Sequence, residues 1–222
     1  MIHRTTTTKS IADRGIALPV VLMLLLALTG LVLFSARYAS MSERTSRNQL
    51  DVERARQAAE SALRDAERDI RLPTGATPTG APCTRGAARP VYEGFSSFSL
   101  DCLGGQCETT EAGFTSANWS DSTTAEPWWP DDRGGRWNNT LSSKPARGSS
   151  ANCTTFTGGV PLGTYTGVDL IPGVARQPEY LIELIDRGSG TNTFFRITAR
   201  GFGASEQTQV VMQSYFRPFE LQ

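Results

Sequence analysis

Histidine is almost absent from this 222-residue sequence, since His3 is its only representative. Ser-His-Asp and Cys-His catalysis need an imidazole, so a chain that loses its first residues cannot carry out either. The sequence also lacks an EF-hand spacing, a phosphate-binding glycine loop after a strand, and a nucleophile beside a base. We therefore predict a non-enzymatic protein without a cofactor.

Net charge is absent as well, because 22 basic and 22 acidic side chains give a formal charge of zero. A basic nucleic-acid binder carries an excess of positive charge, so we predict no nucleic-acid partner. With 39% hydrophobic residues the chain can still bury a core.

An apolar run stands near the start of the chain. Residues 1–15 are polar and mostly positive, residues 16–36 carry no charge, and Arg37 follows them. A helix of 21 residues is about 31 Å long, which is the thickness of the hydrocarbon core of a bilayer. We predict a single membrane span with the basic N-terminus in the cytoplasm.

A second helical pattern continues from the first without glycine or proline up to Leu72. Small and apolar residues recur at spacings of three and four, which predicts one narrow buried face. That face consists of Val52, Ala55, Ala59, Ala62, Leu63, Ala66 and Ile70.

The C-terminal part alternates between strand and turn patterns. We predict strands at residues 179–186, 193–200 and 207–216, with Phe195, Ile197 and Ala199 on one face of the second. A three-stranded antiparallel sheet needs an apolar partner, which the alanine-rich helix face supplies. Residues 92–103 show a weaker strand pattern, and residues 104–178 show no lasting period. The predicted fold is α+β, with one long N-terminal helix on an antiparallel β-sheet and long disulfide-tied loops.

Three motifs lie in the N-terminal part: Arg14-Gly15 before the apolar run, M-S-E-R at residues 41–44, and Q-A-A-E-S-A-L-R-D-A-E at residues 57–67. Together they resemble the N-terminal module of the PilX family of minor type IV pilins. The resemblance implies that a prepilin peptidase cuts after Gly15 and methylates the new amino terminus at Ile16.

The same resemblance implies the partners and the location. The subunit would lie in the bacterial inner membrane, surrounded by lipid, and then enter a type IV pilus at the cell surface. Its implied partners are the prepilin peptidase, the inner-membrane assembly machinery, other minor pilins and the major pilin.

These expectations divide the chain into four parts. Residues 1–15 form a leader, residues 16–36 the transmembrane and filament-core helix, and residues 37–72 its amphipathic half. Residues 73–222 form the exported antiparallel β domain, with a loop insertion at about 104–178.

Val20 departs from the major-pilin pattern. In major pilins the fifth residue after the cut is Glu, and its carboxylate pairs with the amino terminus of the subunit added just before. Val20 has no charge to pair, so the resemblance implies a subunit that needs no predecessor above it. We interpret Val20 as the determinant of a position at or near the pilus tip.

Four cysteines follow the membrane span, in an oxidising compartment that favours disulfides. Consecutive cysteines are separated by 18, 4 and 45 residues, which does not fit zinc-binding Cys-x-x-Cys pairs, and we predict no metal site. Three pairings are open. We favour Cys83–Cys102 with Cys107–Cys153, and a local Cys102–Cys107 loop is the alternative.

All four tryptophans lie in the loop insertion. With the Asp and Asn residues among them they predict a ligand surface for a sugar or a partner protein, and core packing is the alternative. They are Trp119, Trp128, Trp129 and Trp137.

The leading function is that of a non-enzymatic minor pilin that helps initiate type IV pilus assembly, with adhesion or twitching motility as further roles. The first alternative is a minor pseudopilin of a type II secretion system, which would share the N-terminal chemistry. The second is a single-span anchored periplasmic binding or adhesion module, which would keep its leader.

Overall fold

The computed structural model describes residues 17–73, 75–85, 97–108, 126–130, 134–137, 153, 155–185 and 194–218. Within these residues the chain forms one helix and five strands, which confirms the α+β class. The elements are α1 (Ala17–Arg71), β1 (Gln106–Glu108), β2 (Val160–Pro161), β3 (Glu179–Ile185), β4 (Phe194–Phe202) and β5 (Gln209–Phe216).

The chain divides into two compact units, Met1–Asn48 and Gln49–Gln222. In the first unit, Thr29, Ser35, Ser40 and Thr45 of α1 donate from their hydroxyl groups to carbonyls of the preceding turn. Thr29 Oγ1 donates to Leu26 O (3.0 Å), and Ser35 Oγ donates to Leu31 O (2.9 Å). These hydrogen bonds let polar residues stay in an apolar helix without unsatisfied groups.

In the second unit, the last turns of α1 pack on the sheet. The predicted buried face of α1 is confirmed at its four alanines and at Ile70, all of which are buried. Leu63 is partly buried beside them. Val52 is 50% exposed, which contradicts the prediction. Its neighbour Asp51 accepts a hydrogen bond from Ala204 N–H in the β4–β5 turn, so this helical turn lies at the end of the sheet. The buried helix residues are Ala55, Ala58, Ala59, Ala62, Asp65, Ala66, Asp69 and Ile70.

The sheet order is β1-β3-β4-β5, and β2 pairs with β3. The predicted antiparallel arrangement of β3, β4 and β5 is confirmed, with Ile182 opposite Ile197 and Ala199 opposite Met212. Because β1 runs parallel to β3, the sheet is mixed and not wholly antiparallel. The sequence pattern missed β1 and β2, since strands of three and two residues are too short to show a period.

The predicted strand at residues 92–103 is not formed in its described part. Residues 92–96 lie outside the described residues, and residues 97–103 contain isolated bridges from Ser99 to Cys107 and from Leu103 to Thr157.

The two faces of the sheet bury different residues. The helix side carries Phe195, Ile197 and Ala199, as predicted, and these join Tyr180 and Ile182 in the main core. The opposite face carries buried charged residues beside a second cluster. That cluster contains Cys102, Cys107, Trp137 and Leu181.

The cysteine pairing differs from the favoured prediction. The disulfides are Cys83–Cys153 and Cys102–Cys107, so the local loop named as the alternative is the one formed. Between Cys102 and Cys107 the chain reverses through Gly104 and Gly105, both at positive φ, and Gly105 N–H donates to Cys102 O. This reversal brings the two Cα atoms to 4.1 Å and leaves Cys83 to pair with Cys153.

Gly201 marks the closest approach of helix and sheet. A Cβ atom at this position would lie 2.0 Å from Ala55 O and 2.4 Å from Ala59 N, which are backbone atoms. We expect Gly201→Ala to lower the free energy of unfolding by about 1–3 kcal/mol, because the helix must move away from β4. Chemical denaturation of the full chain in detergent measures this loss.

Gly30→Ala is the matched control for that substitution. A Cβ atom at Gly30 meets nothing within 4 Å, so unfolding of the β domain should not change. If Gly201→Ala were as stable as the Gly30→Ala control, backbone contact at Gly201 would not limit the packing of the helix.

Candidate functional site

The first unit presents an apolar helix surface. Its large hydrophobic side chains are half or more exposed, and the helix is long and apolar enough to cross a membrane by length and composition. A continuous apolar surface of this kind is covered in the working protein by lipid or by other helices. It includes Leu18, Val20, Val21, Leu22, Met23, Leu24, Leu25, Leu26, Leu28, Leu31, Val32, Leu33 and Phe34.

The predicted processing residues, Gly15 and Ile16, lie outside the described residues. Val20 is part of α1, and its side chain is 55% exposed. No acidic residue occupies the first turn of α1. Val20 therefore adds apolar surface to the helix where a carboxylate would add a charge that needs a partner.

A buried ion pair joins the last turn of α1 to a loop of the β domain. The Arg85 guanidinium donates from Nε to Asp69 Oδ1 (2.8 Å) and from Nη2 to Asp69 Oδ2 (2.6 Å). The Tyr180 hydroxyl donates to the same carboxylate at 2.8 Å. The side chains of Arg85 and Asp69 are 3% and 0% exposed, so water does not screen the pair.

A second buried carboxylate lies one turn earlier on α1. Asp65 accepts a backbone hydrogen bond from Gly163 (2.8 Å) and another from the Thr166 hydroxyl. Burial raises the pKa of Asp65; the two hydrogen bonds lower it, and the nearby charge of Asp69 raises it.

The two aspartates therefore tie α1 to β3 and to the loops that contain Arg85 and Gly163. Burial raises the pKa of Tyr180 well above its ordinary value, and the charge of Asp69 acts in the same direction. Tyr180 thus stays protonated and donates to Asp69. The polar atoms of these side chains bond to one another and not to solvent. We therefore interpret the arrangement as one that holds the helix in position on the sheet.

The sequence prediction missed both aspartates. The sequence contained a sign of their burial, because Asp65 lies three residues after Ala62 and Asp69 three residues after Ala66, on the same side of the helix. Acidic residues on a predicted buried face indicate a buried partner.

A second set of ion pairs covers the other face of the sheet. Arg196 donates to Glu183 Oε2 from Nε (2.9 Å) and also contacts Glu126 of the loop above the sheet. Arg200 donates to Glu179 Oε1 from Nε (3.0 Å). Burial raises the pKa of Glu183, and the hydrogen bond and charge of Arg196 oppose this shift. The pairs of Arg196 with Glu183 and of Arg200 with Glu179 join β4 to β3, and the pair of Arg196 with Glu126 holds the loop at Glu126 to the sheet.

Of the four tryptophans predicted to form a ligand surface, the structure describes three, and these differ in burial. Trp119 lies outside the described residues, and Trp137 is 2% exposed. Trp137 donates its indole N–H to Trp128 O (2.9 Å), and the Arg200 guanidinium lies 4.8 Å from the centre of its ring. Trp137 is therefore a core residue, in line with the alternative reading. Trp128 and Trp129 are half-buried and contact each other edge to face.

In the part of the chain that the structure describes, no group of three or more His, Cys, Asp or Glu residues is placed to hold a metal ion.

One half of the helix is apolar and exposed, and the half that follows packs on a β-sheet with disulfide-tied loops. This architecture defines a pilin-like subunit. The model of the PilX N-terminal family matches residues 14–64, and the model of the type IV pilus assembly protein PilX C-terminal family matches residues 104–218. The chain belongs to the PilX family, whose members are structural minor pilins of type IV pili. No curated protein and no solved structure matches the chain.

The N-terminal match covers residues 14–64, so it contains the Arg14-Gly15 junction, the M-S-E-R motif and the first eight residues of the stretch at 57–67, on which the resemblance rests. Membership of the family implies contact with other pilins, and the apolar helix suggests membrane anchoring before the subunit joins the pilus.

Proposed function

We propose that this minor pilin helps initiate type IV pilus assembly and lies at or near the tip of the pilus. The observation that carries the proposal is Val20, an uncharged residue at the fifth position after the proposed cut. Adhesion and twitching motility are the roles that a tip subunit would serve.

The first step of this function is maturation. The prepilin peptidase cuts after Gly15 in the inner membrane, with the N-terminus of the precursor in the cytoplasm, and methylates Ile16. The exposed apolar half of α1 then exchanges lipid for the helices of the major pilin and of other minor pilins. Because burial is similar before and after this exchange, the inner-membrane assembly machinery must drive it.

The second step is placement. A carboxylate inside a bundle of apolar helices is costly unless a positive charge pairs with it. A subunit with Glu at this position needs the amino terminus of a predecessor, whereas Val20 needs none. Its own amino terminus at Ile16 can still pair with the next subunit below. A chain of this kind fits the first place in a filament.

Substitution of Val20 tests the placement. We expect an epitope-labelled wild-type chain at the ends of purified pili and a Val20→Glu chain along their shafts, because the new carboxylate pairs within the filament. Immunogold electron microscopy measures the two distributions.

Val20→Gln is the control, since glutamine has nearly the same size as glutamate and no charge. It should stay at the ends of the pili. Wild-type label along the shafts, or a Val20→Glu chain that remains at the ends, would refute the proposed role of Val20.

A separate measurement tests maturation. The intact mass of the purified mature chain should correspond to residues 16–222 with one added methyl group. A chain that keeps Met1 would be an anchored periplasmic module, and the proposed function would then fail.

Trp128 and Trp129 remain candidates for a ligand surface at the tip. They are half-buried, and in the described structure the indole Nε1 of Trp128 is buried without a hydrogen-bond partner. A sugar or protein ligand that stacks on these rings would support adhesion as a role of the subunit.

A further inference from the structure

Helix α1 continues past the apolar run as an exposed and positively charged stretch, residues 37–48, which we call the outer helix segment. It carries Arg37, Arg44 and Arg47 against one acidic residue, Glu43, which gives a net charge of +2. Residues 16–36 carry no charged side chain. Once residues 1–15 are removed, as proposed above, the charged side chains of the first unit therefore all lie at one end of its apolar surface.

Two of the three arginines have no counter-charge on this part of the helix. Arg47 Nη2 donates to Glu43 Oε1 (2.6 Å), which pairs the only acidic residue of the outer helix segment. The positions one helical turn before and after Arg37 and Arg44 hold uncharged residues, apart from Arg47. The segment therefore presents two exposed guanidinium groups that can bind an anion from outside the chain.

The depth of both arginines in a membrane follows from the helical rise. Residues 16–36 span the hydrocarbon core, so Arg37 lies at its boundary, and a long arginine side chain extends from there into the headgroup layer. Arg44 lies seven residues further, about 10 Å along the helix and on the same face, and the headgroup layer is about 5–7 Å thick. Helix side chains tilt towards the N-terminus, which is here towards the membrane, so Arg44 reaches back to this layer.

The chemistry of the headgroup layer fits these side chains. A guanidinium group binds phosphate through two parallel hydrogen bonds, and lipid headgroups carry phosphate. Tyr38, which is 70% exposed, stands next to Arg37, and tyrosine is enriched at this depth because its ring is apolar and its hydroxyl group polar. The net charge of the outer helix segment is complementary to lipids that have a phosphate group and no positive charge of their own.

We propose that Arg37 and Arg44 bind the phosphate groups of anionic phospholipids in the membrane around the helix. The leaflet, the outer one of the inner membrane, rests on the proposed orientation of the chain, whereas the binding itself does not. The lipids fix the depth of α1 before assembly and are released when the helix exchanges lipid for the helices of other pilins.

The first experiment measures lipid binding by the purified full-length chain in an uncharged detergent. Dioleoyl phosphatidylglycerol and dioleoyl phosphatidylcholine are added separately, and native mass spectrometry gives the apparent dissociation constant of each. A basic residue near an anionic surface contributes about fivefold in affinity, so the wild-type chain should bind phosphatidylglycerol about tenfold or more tightly than phosphatidylcholine. In the double variant Arg37→Gln with Arg44→Gln, this ratio should fall to about threefold or less.

Arg54→Gln with Arg64→Gln is the matched control. Both arginines are exposed on α1 and lie in the second unit, further along the chain from the apolar run. The control removes the same charge and should keep the wild-type ratio. A wild-type chain without a preference for phosphatidylglycerol, or an equal loss of preference in both double variants, would overturn the proposal.

Glycerol phosphate separates a lipid from a free phosphate, since it carries the phosphate group without the acyl chains. At the concentration of the lipid it should leave the binding of phosphatidylglycerol to the wild-type chain unchanged. Displacement of the lipid by glycerol phosphate would show that the arginines bind a free anion, and the lipid would then not be their partner.

The second experiment separates lipid from another source of negative charge, an acidic side chain of another pilin. The chain is isolated from bacterial inner membranes with a polymer that retains the surrounding lipid, and the retained phospholipids are quantified. The wild-type chain should hold anionic phospholipid at about twofold or more its share in the bulk membrane, and the double variant Arg37→Gln with Arg44→Gln should not. Retention at the bulk share by the wild-type chain, with or without a copurified pilin, would refute lipid as the partner.

Neither experiment depends on cleavage after Gly15 or on pilus assembly. A chain that lies at the pilus tip but has no preference for anionic lipid would refute this inference and leave the proposed function intact. A chain that keeps the preference but lies along the shafts would refute the proposed function alone.

Discussion

Replacing Asp69 by alanine is expected to lower the free energy of unfolding by about 3–5 kcal/mol, because it leaves the buried Arg85 charge without a partner. Arg85 donates to both oxygens of Asp69, and its side chain is 3% exposed, so water cannot take the place of the carboxylate. The Tyr180 hydroxyl loses its acceptor in the same variant. Urea denaturation of the full chain in detergent, followed by tryptophan fluorescence, measures the loss.

Two further variants test the reason for this effect. Glu67→Ala removes a half-buried carboxylate from the same helical turn, and we expect its effect to stay within about 0.5 kcal/mol. Asp69→Leu combined with Arg85→Met removes both charges and should recover at least half of the loss, since no unpaired charge remains. If Asp69→Ala were no worse than Glu67→Ala, the ion pair would not stabilise the contact between helix and loop.

Removing the Cys83–Cys153 disulfide is expected to have the second large effect, a loss of about 4 kcal/mol. The reason is the length of the loop, because a cross-link between residues 70 positions apart restricts the unfolded chain strongly. The double variant Cys83→Ala with Cys153→Ala should show this loss in the same denaturation experiment.

The other disulfide is the matched comparison. Cys102 and Cys107 are five positions apart, so the same argument gives a loss of about 2 kcal/mol for Cys102→Ala with Cys107→Ala. A larger loss from this short loop than from the long one would show that loop length does not decide the contribution of these disulfides.

Both predictions concern the attachment of the helix and of the long loops to the sheet. Asp69 and Arg85 join the end of α1 to the loop that follows it, and Cys83 lies in that same loop. Cys83 N–H also donates to Thr164 O, close to the loop that Asp65 binds. The proposed exchange of lipid for a filament requires a domain that stays attached to its helix.

The long periodic features could be predicted from the sequence. Helix α1 and strands β3, β4 and β5 each repeat an apolar pattern over seven or more residues, so their type and approximate bounds were evident. The apolar run, the Arg14-Gly15 junction and the Q-A-A-E stretch likewise sufficed to indicate the family. Each of these features depends on residues that are close in the chain, so apolar periodicity and short motifs are enough to predict it.

The remaining features depend on which distant residues meet. The pairing of Cys83 with Cys153, the parallel strand β1 and the burial of Trp137 all join segments that no local pattern relates. The partners of Asp65 and Asp69 are nearly as hard to foresee, because Gly163, Thr166 and Tyr180 lie about a hundred residues away. The sequence by itself determined a membrane-length apolar helix, its amphipathic continuation and a β-meander, since each follows from periodicity and hydrophobicity. Only the tertiary structure decided which cysteines pair, which charges are buried and which strand lies at the edge, because these depend on chain reversals that bring remote residues together.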